Sequence, residues 1–182
     1  METTLIKRAT LLFLLLSTIL SAKQYDTTIM AIEAKLFPKI ALLEQHIKNS
    51  GSPTLKITIL AIDTDFRAAE RFKRQIESTY PNGIAKRKLL VNISKFIPAH
   101  IGKPDAVIVL SHRPDQLKSV ASWANRNQIV SFAYDPFHLG YGLLTSIYFG
   151  KTTKPYLNQK AIRENNFLYD HYLLRLSKFY NE

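Results

Sequence analysis

Apolar residues recur at two periods along this chain, and the points where the period changes mark its elements. Ile29, Ile32, Leu36, Ile40, Leu43 and Ile47 are spaced by threes and fours, the stripe of an amphipathic helix. Pro38 lies within that stripe. Proline lacks the N–H and crowds the preceding turn, at about 3 kcal/mol inside a helix, so the pattern predicts a kink or two short helices meeting near Phe37. The run Asn49, Ser50, Gly51, Ser52 and Pro53 is a turn cluster that closes the segment.

From there the period alternates. Residues 55–62 are rich in β-branched side chains and predict a strand, and Asp63 to Asp65 stand where a helix cap belongs. Phe66, Ala69, Phe72 and Ile76 then give a helical stripe, stopped by Tyr80, Pro81, Asn82 and Gly83. Residues 88–93 predict a second strand. Residues 105–110 are nearly all apolar, as in a strand covered on both faces of a parallel sheet. Pro114 and Asp115 open a helix with Leu117, Val120, Ala121 and Ala124 inward, and residues 129–134 form the next strand. Strand, helix, strand, strand, helix, strand is the signature of an α/β fold, here one domain with a mostly parallel sheet and flanking helices.

The last third reads differently. Residues 142–150 alternate as a long strand, and residues 151–158 return beside it as a β-arm with Pro155 at an edge. Tyr169, Tyr172, Leu173, Leu176 and Tyr180 form the stripe of a closing helix. Such a stripe packs on the sheet and leaves Tyr169, Tyr172 and Tyr180 as candidate partner contacts.

The N-terminus changes the compartment. Lys7 and Arg8 precede an apolar run over residues 9–20 that ends in Ser21 and Ala22, the layout of a secretory signal peptide. The run is roughly a dozen residues, whereas a bilayer-spanning helix needs about 20. The expectation is a signal peptide over residues 1–22, a mature domain over residues 23–182, and a periplasmic location; retention as an anchor is the alternative. The chain contains no cysteine, so an exported domain of this size must hold together by its apolar core alone. With 25 basic and 14 acidic residues the formal charge is +11. Outside the cytosol that charge points to anionic lipid, envelope polymers or an acidic protein surface rather than to nucleic acid.

Candidate chemistry follows from topology. In open α/β sheets ligands bind beyond the carboxyl ends of the strands, and Asp63, Asp65, His112, Arg113, Tyr134, Asp135 and His138 all follow predicted strands. These are the ligand-binding candidates. Asp63-Thr64-Asp65 resembles the nucleophile loop of haloacid-dehalogenase-type phosphatases, which implies magnesium-dependent phosphoester hydrolysis; Arg67 departs from that pattern, and the helix-cap reading is the alternative. The five histidines, His46, His100, His112, His138 and His171, are spread singly and lack zinc-site spacing. No glycine-flanked serine and no dinucleotide loop is present. No metal, cofactor or catalytic set is expected.

The segments KLFPKIALLE, LKITILAI, DAVIVLS, IVSFAYDP, GLLTSIYFG, KPYLN and YLLRLSKFY, in this order after a signal peptide, resemble the YfiR-like family of periplasmic regulatory proteins. That resemblance implies a non-enzymatic protein that docks on the periplasmic sensor domain of a membrane-bound signalling partner such as a diguanylate cyclase. A homodimer is left open. A more distant resemblance is to one lobe of transporter substrate-binding proteins, which implies a small-ligand-binding lobe.

Overall fold

The computed structural model describes residues 25–96 and 101–180. The expected signal peptide lies outside the described residues. Among the described residues no helix is long and apolar enough to cross a membrane.

The chain folds as an α/β domain around a seven-stranded sheet of order β2-β1-β3-β4-β5-β6-β7. The strands are β1 (Thr54–Leu60), β2 (Lys88–Ser94), β3 (Ala106–Val109), β4 (Val130–Ala133), β5 (Thr145–Phe149), β6 (Thr153–Asn158) and β7 (Lys178–Tyr180). The first five are mutually parallel; β6 runs antiparallel to β5, and β7 runs parallel to β6. Among the described residues the helices are α1 (Thr27–Ala41), α2 (Gln45–Asn49), α3 (Phe66–Thr79), α4 (Pro114–Arg126), α5 (Gln159–Glu164) and α6 (His171–Leu176).

Alternation along the strands explains the two layers. Leu55, Ile57, Ile59, Ala106, Ile108, Val130 and Phe132 face one core with α1 and α3, while Val107, Val109 and Ala133 face the other with α4. Side chains two apart share a face of a strand, so each central strand is apolar on both sides, as a parallel sheet between helices requires. The crossover helices α3 and α4 lie on opposite faces because the chain steps outward from β1 to β2, then inward past β1 to β3. The strand order therefore reverses between β1 and β3, which makes a crevice at their carboxyl ends.

Several local expectations change. α1 continues through Pro38 instead of breaking, and its buried face is Met30, Glu33, Ala34, Phe37, Pro38, Ile40 and Ala41. Phe37 stacks on Phe132 of β4 with ring centroids 4.4 Å apart, and that contact sets the helix about one position away from the predicted stripe. Pro155 does not lie on an edge strand: β7 covers β6, but the β6–β7 ladder begins at Tyr156, so the missing proline N–H is not needed there. The closing helix is short. Tyr169 precedes it, Leu173 is buried within it, Tyr172 points outward, and Tyr180 belongs to β7. Asp170 caps α6 by accepting the Tyr172 N–H at 2.9 Å, so the helix starts after Tyr169 and cannot hold all five predicted residues in one stripe.

Candidate functional site

The crevice rim is built by the segments that follow β1, β3 and β4. After β1 the chain makes a 3-10 turn, Asp63–Asp65, that leads into α3. Of the predicted cap residues, Asp65 does not cap. Asp65 occupies the N-cap position of α3 but makes no side-chain capping bond, because its carboxyl group turns inward and is only 7% exposed. Its Oδ2 atom has no hydrogen-bond partner. The side chain of Asp63 lies outside the described residues.

Above β3 and β4 the structure brings most of the predicted rim together. The rings of His112 and His138 are 5.4 Å apart, and His138 lies 6.1 Å from Tyr141. Tyr134 is mostly buried and donates its hydroxyl to the Asp26 carbonyl at 3.4 Å. Burial, reinforced by Glu33, pushes its pKa up to about 12. Asp135 accepts from the Phe137 N–H at 3.0 Å and so caps the 3-10 turn Pro136–Tyr141. Arg113 points the other way: it pairs with Asp115 at 2.9 Å at the start of α4, and the hydrogen bond lowers the Asp115 pKa. Arg113 lines an open cleft of about 400 Å³ with Thr64, Lys95, Phe96 and Gln116. Ser111 links the two halves of the rim, donating to Gln116 Oε1 at 2.6 Å and accepting the Arg113 N–H at 3.2 Å.

Two residues of this cluster were not expected from sequence. Tyr25, just before α1, is 5% exposed and lays its ring against His112 at 5.6 Å and edge-on to Tyr134 at 4.9 Å. Its hydroxyl donates to the Leu110 carbonyl at 2.7 Å. Having one proton to give, it must accept from His112 Nε2 at 3.0 Å, which assigns the ring proton of His112 to Nε2. Burial, with the adjacent Asp65 carboxylate, raises the Tyr25 pKa and keeps the phenol protonated. Glu33, two turns into α1, is 0% exposed, and neither carboxyl oxygen has a partner. Burial and then the charge of Asp135 raise its pKa well above the carboxylate range, which favours the neutral acid.

The sequence offered no periodic signal for Tyr25, which precedes the helix. Glu33 had one: Met30, Ala34, Phe37, Ile40 and Ala41 form a competing stripe whose small alanines suit close packing on a sheet, and Glu33 belongs to that stripe.

The predicted partner residues separate. Tyr169 is 6% exposed and shares a hydrogen bond with Thr145 Oγ1 at 3.3 Å, so it is a core residue, and burial raises its pKa. Tyr180 packs on Tyr156 at 5.8 Å. Tyr172 alone of the three is open, at 59% exposure, and Leu168 and Leu176, four residues before and after it in the sequence, are exposed as well.

No protein-family model matches this chain, and no curated protein matches it. Several solved structures share its fold, among them these two. One is a conserved domain protein from Vibrio cholerae O1 biovar El Tor str. N16961, with TM-score 0.55 and 9% identity over 82% of this chain. The other is the ABC domain from Streptococcus pneumoniae in complex with L-Trp, with TM-score 0.56 and 12% identity over 80% of this chain. The match spans 59% of each of those chains. At these identities the likeness is one of fold, and it includes a protein that binds a small ligand.

Proposed function

We propose that this chain is a non-enzymatic binding protein that takes a small organic ligand at the carboxyl rim of its sheet and acts in the cell envelope. The observation that carries this reading is the pair of buried carboxyl groups, Glu33 and Asp65, left with unpartnered oxygens behind a rim of Tyr25, His112, Tyr134 and His138. Burying such a group unpaired costs roughly 1 to 3 kcal/mol by mutational measures, a cost that a bound donor offsets. Asp65 lies beneath Tyr25 rather than open to an incoming phosphoester, which weighs against the hydrolase alternative.

The test is a melting-temperature screen of free amino acids and amines. L-Trp is the first probe, because the S. pneumoniae domain is in complex with it. A rise that His112→Ala removes supports the reading, and a flat response across the panel defeats it. Magnesium-dependent turnover of p-nitrophenyl phosphate that Asp63→Asn abolishes replaces it with the enzyme reading.

A second reading is favoured by the exposed side chains of Leu168, Tyr172 and Leu176. It is docking on a membrane-bound signalling partner, such as the diguanylate cyclase that the YfiR-like resemblance implies. Ligand capture and docking are compatible, with rim occupancy as the input and the partner as the output.

A further inference from the structure

Tyr25 sits in the rim as a ligand sits in a pocket. It belongs to no helix or strand, yet its ring is held between His112 and Tyr134, and its hydroxyl reaches the floor of the crevice at Leu110. The fit is chemically incomplete. Around that one hydroxyl stand the Leu110 carbonyl and the Asp65 carboxylate, both acceptors, and a phenol has a single proton to share between them. Asp65 Oδ2 has no hydrogen-bond partner, and Glu33 adds two more oxygens without one behind Tyr134. Although the protein as a whole is strongly basic, Asp26, Glu33, Asp65 and Asp135 make this corner rich in acid groups.

We infer that the slot between His112 and Tyr134 is a binding site for an arylalkyl amine, and that Tyr25 is its tethered occupant when no ligand is present. The aromatic ring of the ligand replaces the Tyr25 ring. Its ammonium group brings three N–H donors where the phenol brought one: two satisfy the Leu110 carbonyl and Asp65, and the third meets His112 Nε2, whose ring proton moves to Nδ1 so that Nε2 accepts. The inference rests on the reading of the rim as a ligand site and gives that site a ligand class. A ligand that must displace Tyr25 binds with its intrinsic affinity scaled by the fraction of molecules in which the slot is open.

Two probes separate ring from charge: p-cresol reproduces the Tyr25 side chain, and benzylamine replaces its hydroxyl with a cationic donor. Calorimetry on Tyr25→Ala is expected to show both binding, benzylamine the tighter, and each at least about tenfold tighter than in the unsubstituted protein. Asp65→Asn in that background is expected to erase the preference for benzylamine while leaving p-cresol bound. The unsubstituted protein gives a readout that does not depend on the folding of Tyr25→Ala. With 3-fluorotyrosine incorporated, the fluorine resonance that Tyr25→Phe removes is expected to move to its solvent-exposed position on adding benzylamine.

A resonance that stays in place at saturating amine overturns the inference, as does equal affinity for the two probes regardless of Asp65. If benzylamine fails while another compound raises the melting temperature in a manner dependent on His112, the arylalkyl amine class falls and the rim-binding reading stands. If nothing in either set binds, both fall.

Discussion

Glu33 and Glu44 belong to one stretch of chain, are equally buried at 0% and 1% exposure, and have opposite surroundings. Glu44 caps α2: its Oε2 accepts from the Ile47 N–H at 3.0 Å, and its Oε1 accepts from His46 Nδ1 at 2.8 Å and the Leu168 N–H at 3.4 Å. Around it the C-terminal segment is tied to the first helices, through Gln45 N–H to Leu168 O at 2.7 Å, Asp170 N–H to Leu43 O at 2.9 Å, and the Lys48–Asp170 pair at 2.9 Å. Glu33 has none of this. A carboxylate with three donors holds structure together, whereas one with none costs stability. The difference teaches which buried acid the fold needs and which one it merely accommodates, and the accommodated one lies behind the rim at the carboxyl ends of the strands.

The largest expected effect tests whether the Glu44 end is structural. Leu173, 3% exposed on α6, packs into the core that this anchoring closes, so Leu173→Ala is expected to cost about 2 to 5 kcal/mol in urea denaturation. Glu44→Ala removes a cap and strands the Ile47 and Leu168 amides, at about 3 kcal/mol by the sum of cap and unsatisfied-donor costs. Midpoints unchanged by either substitution would break the comparison at its structural end.

At the other end the sign reverses. Glu33→Met keeps the length of the side chain and removes the unpartnered oxygens, and is expected to raise stability at neutral pH by about 1 to 3 kcal/mol. The pH dependence sharpens this. Because the folded-state pKa of Glu33 is raised, the native chain holds a proton that the unfolded chain releases above about 4.5. Its favourable linkage is therefore full below that value and is lost as pH rises through the folded pKa, at up to about 1.4 kcal/mol per pH unit. The advantage of Glu33→Met over the unsubstituted protein should then widen from pH 4.5 upward until Glu33 ionises in the folded state. A constant difference across that range shows that Glu33 has an ordinary pKa and a donor.

Much of this arrangement was legible in the sequence. The period changes marked β1, α3, β2, β3, α4 and β4, and the rule that ligands gather beyond carboxyl strand ends placed His112, Tyr134, Asp135 and His138 on one rim. Local pattern failed where long-range packing decided. The contact of Phe37 with Phe132 rotated α1 and buried Glu33, and Tyr25 found its slot through residues more than 80 positions away. The C-terminal stripe misled because tyrosine is apolar and polar at once: Tyr169 satisfied its hydroxyl on Thr145 in the core, and Tyr172 left its own outside.

The smallest stability effect belongs to that outward residue. The Leu168 backbone is held on both sides, its N–H by Glu44 and its carbonyl by Gln45, while its side chain is 59% exposed. Tyr172 and Leu176 lie four apart on α6 and share its outer face, while Leu168 precedes the Asp170 cap, and all three side chains are exposed among the described residues. Exposed substitutions of this kind shift stability by no more than about 0.5 kcal/mol. Tyr172→Ser and Leu168→Ser are therefore expected to leave the urea midpoint in place. If these exposed side chains form a docking surface, the same substitutions lower recovery of a membrane-bound signalling partner from solubilised envelopes. Unchanged recovery with an unchanged midpoint removes the docking reading, and a midpoint that falls with Tyr172→Ser shows that Tyr172 is packed against the protein's own surface.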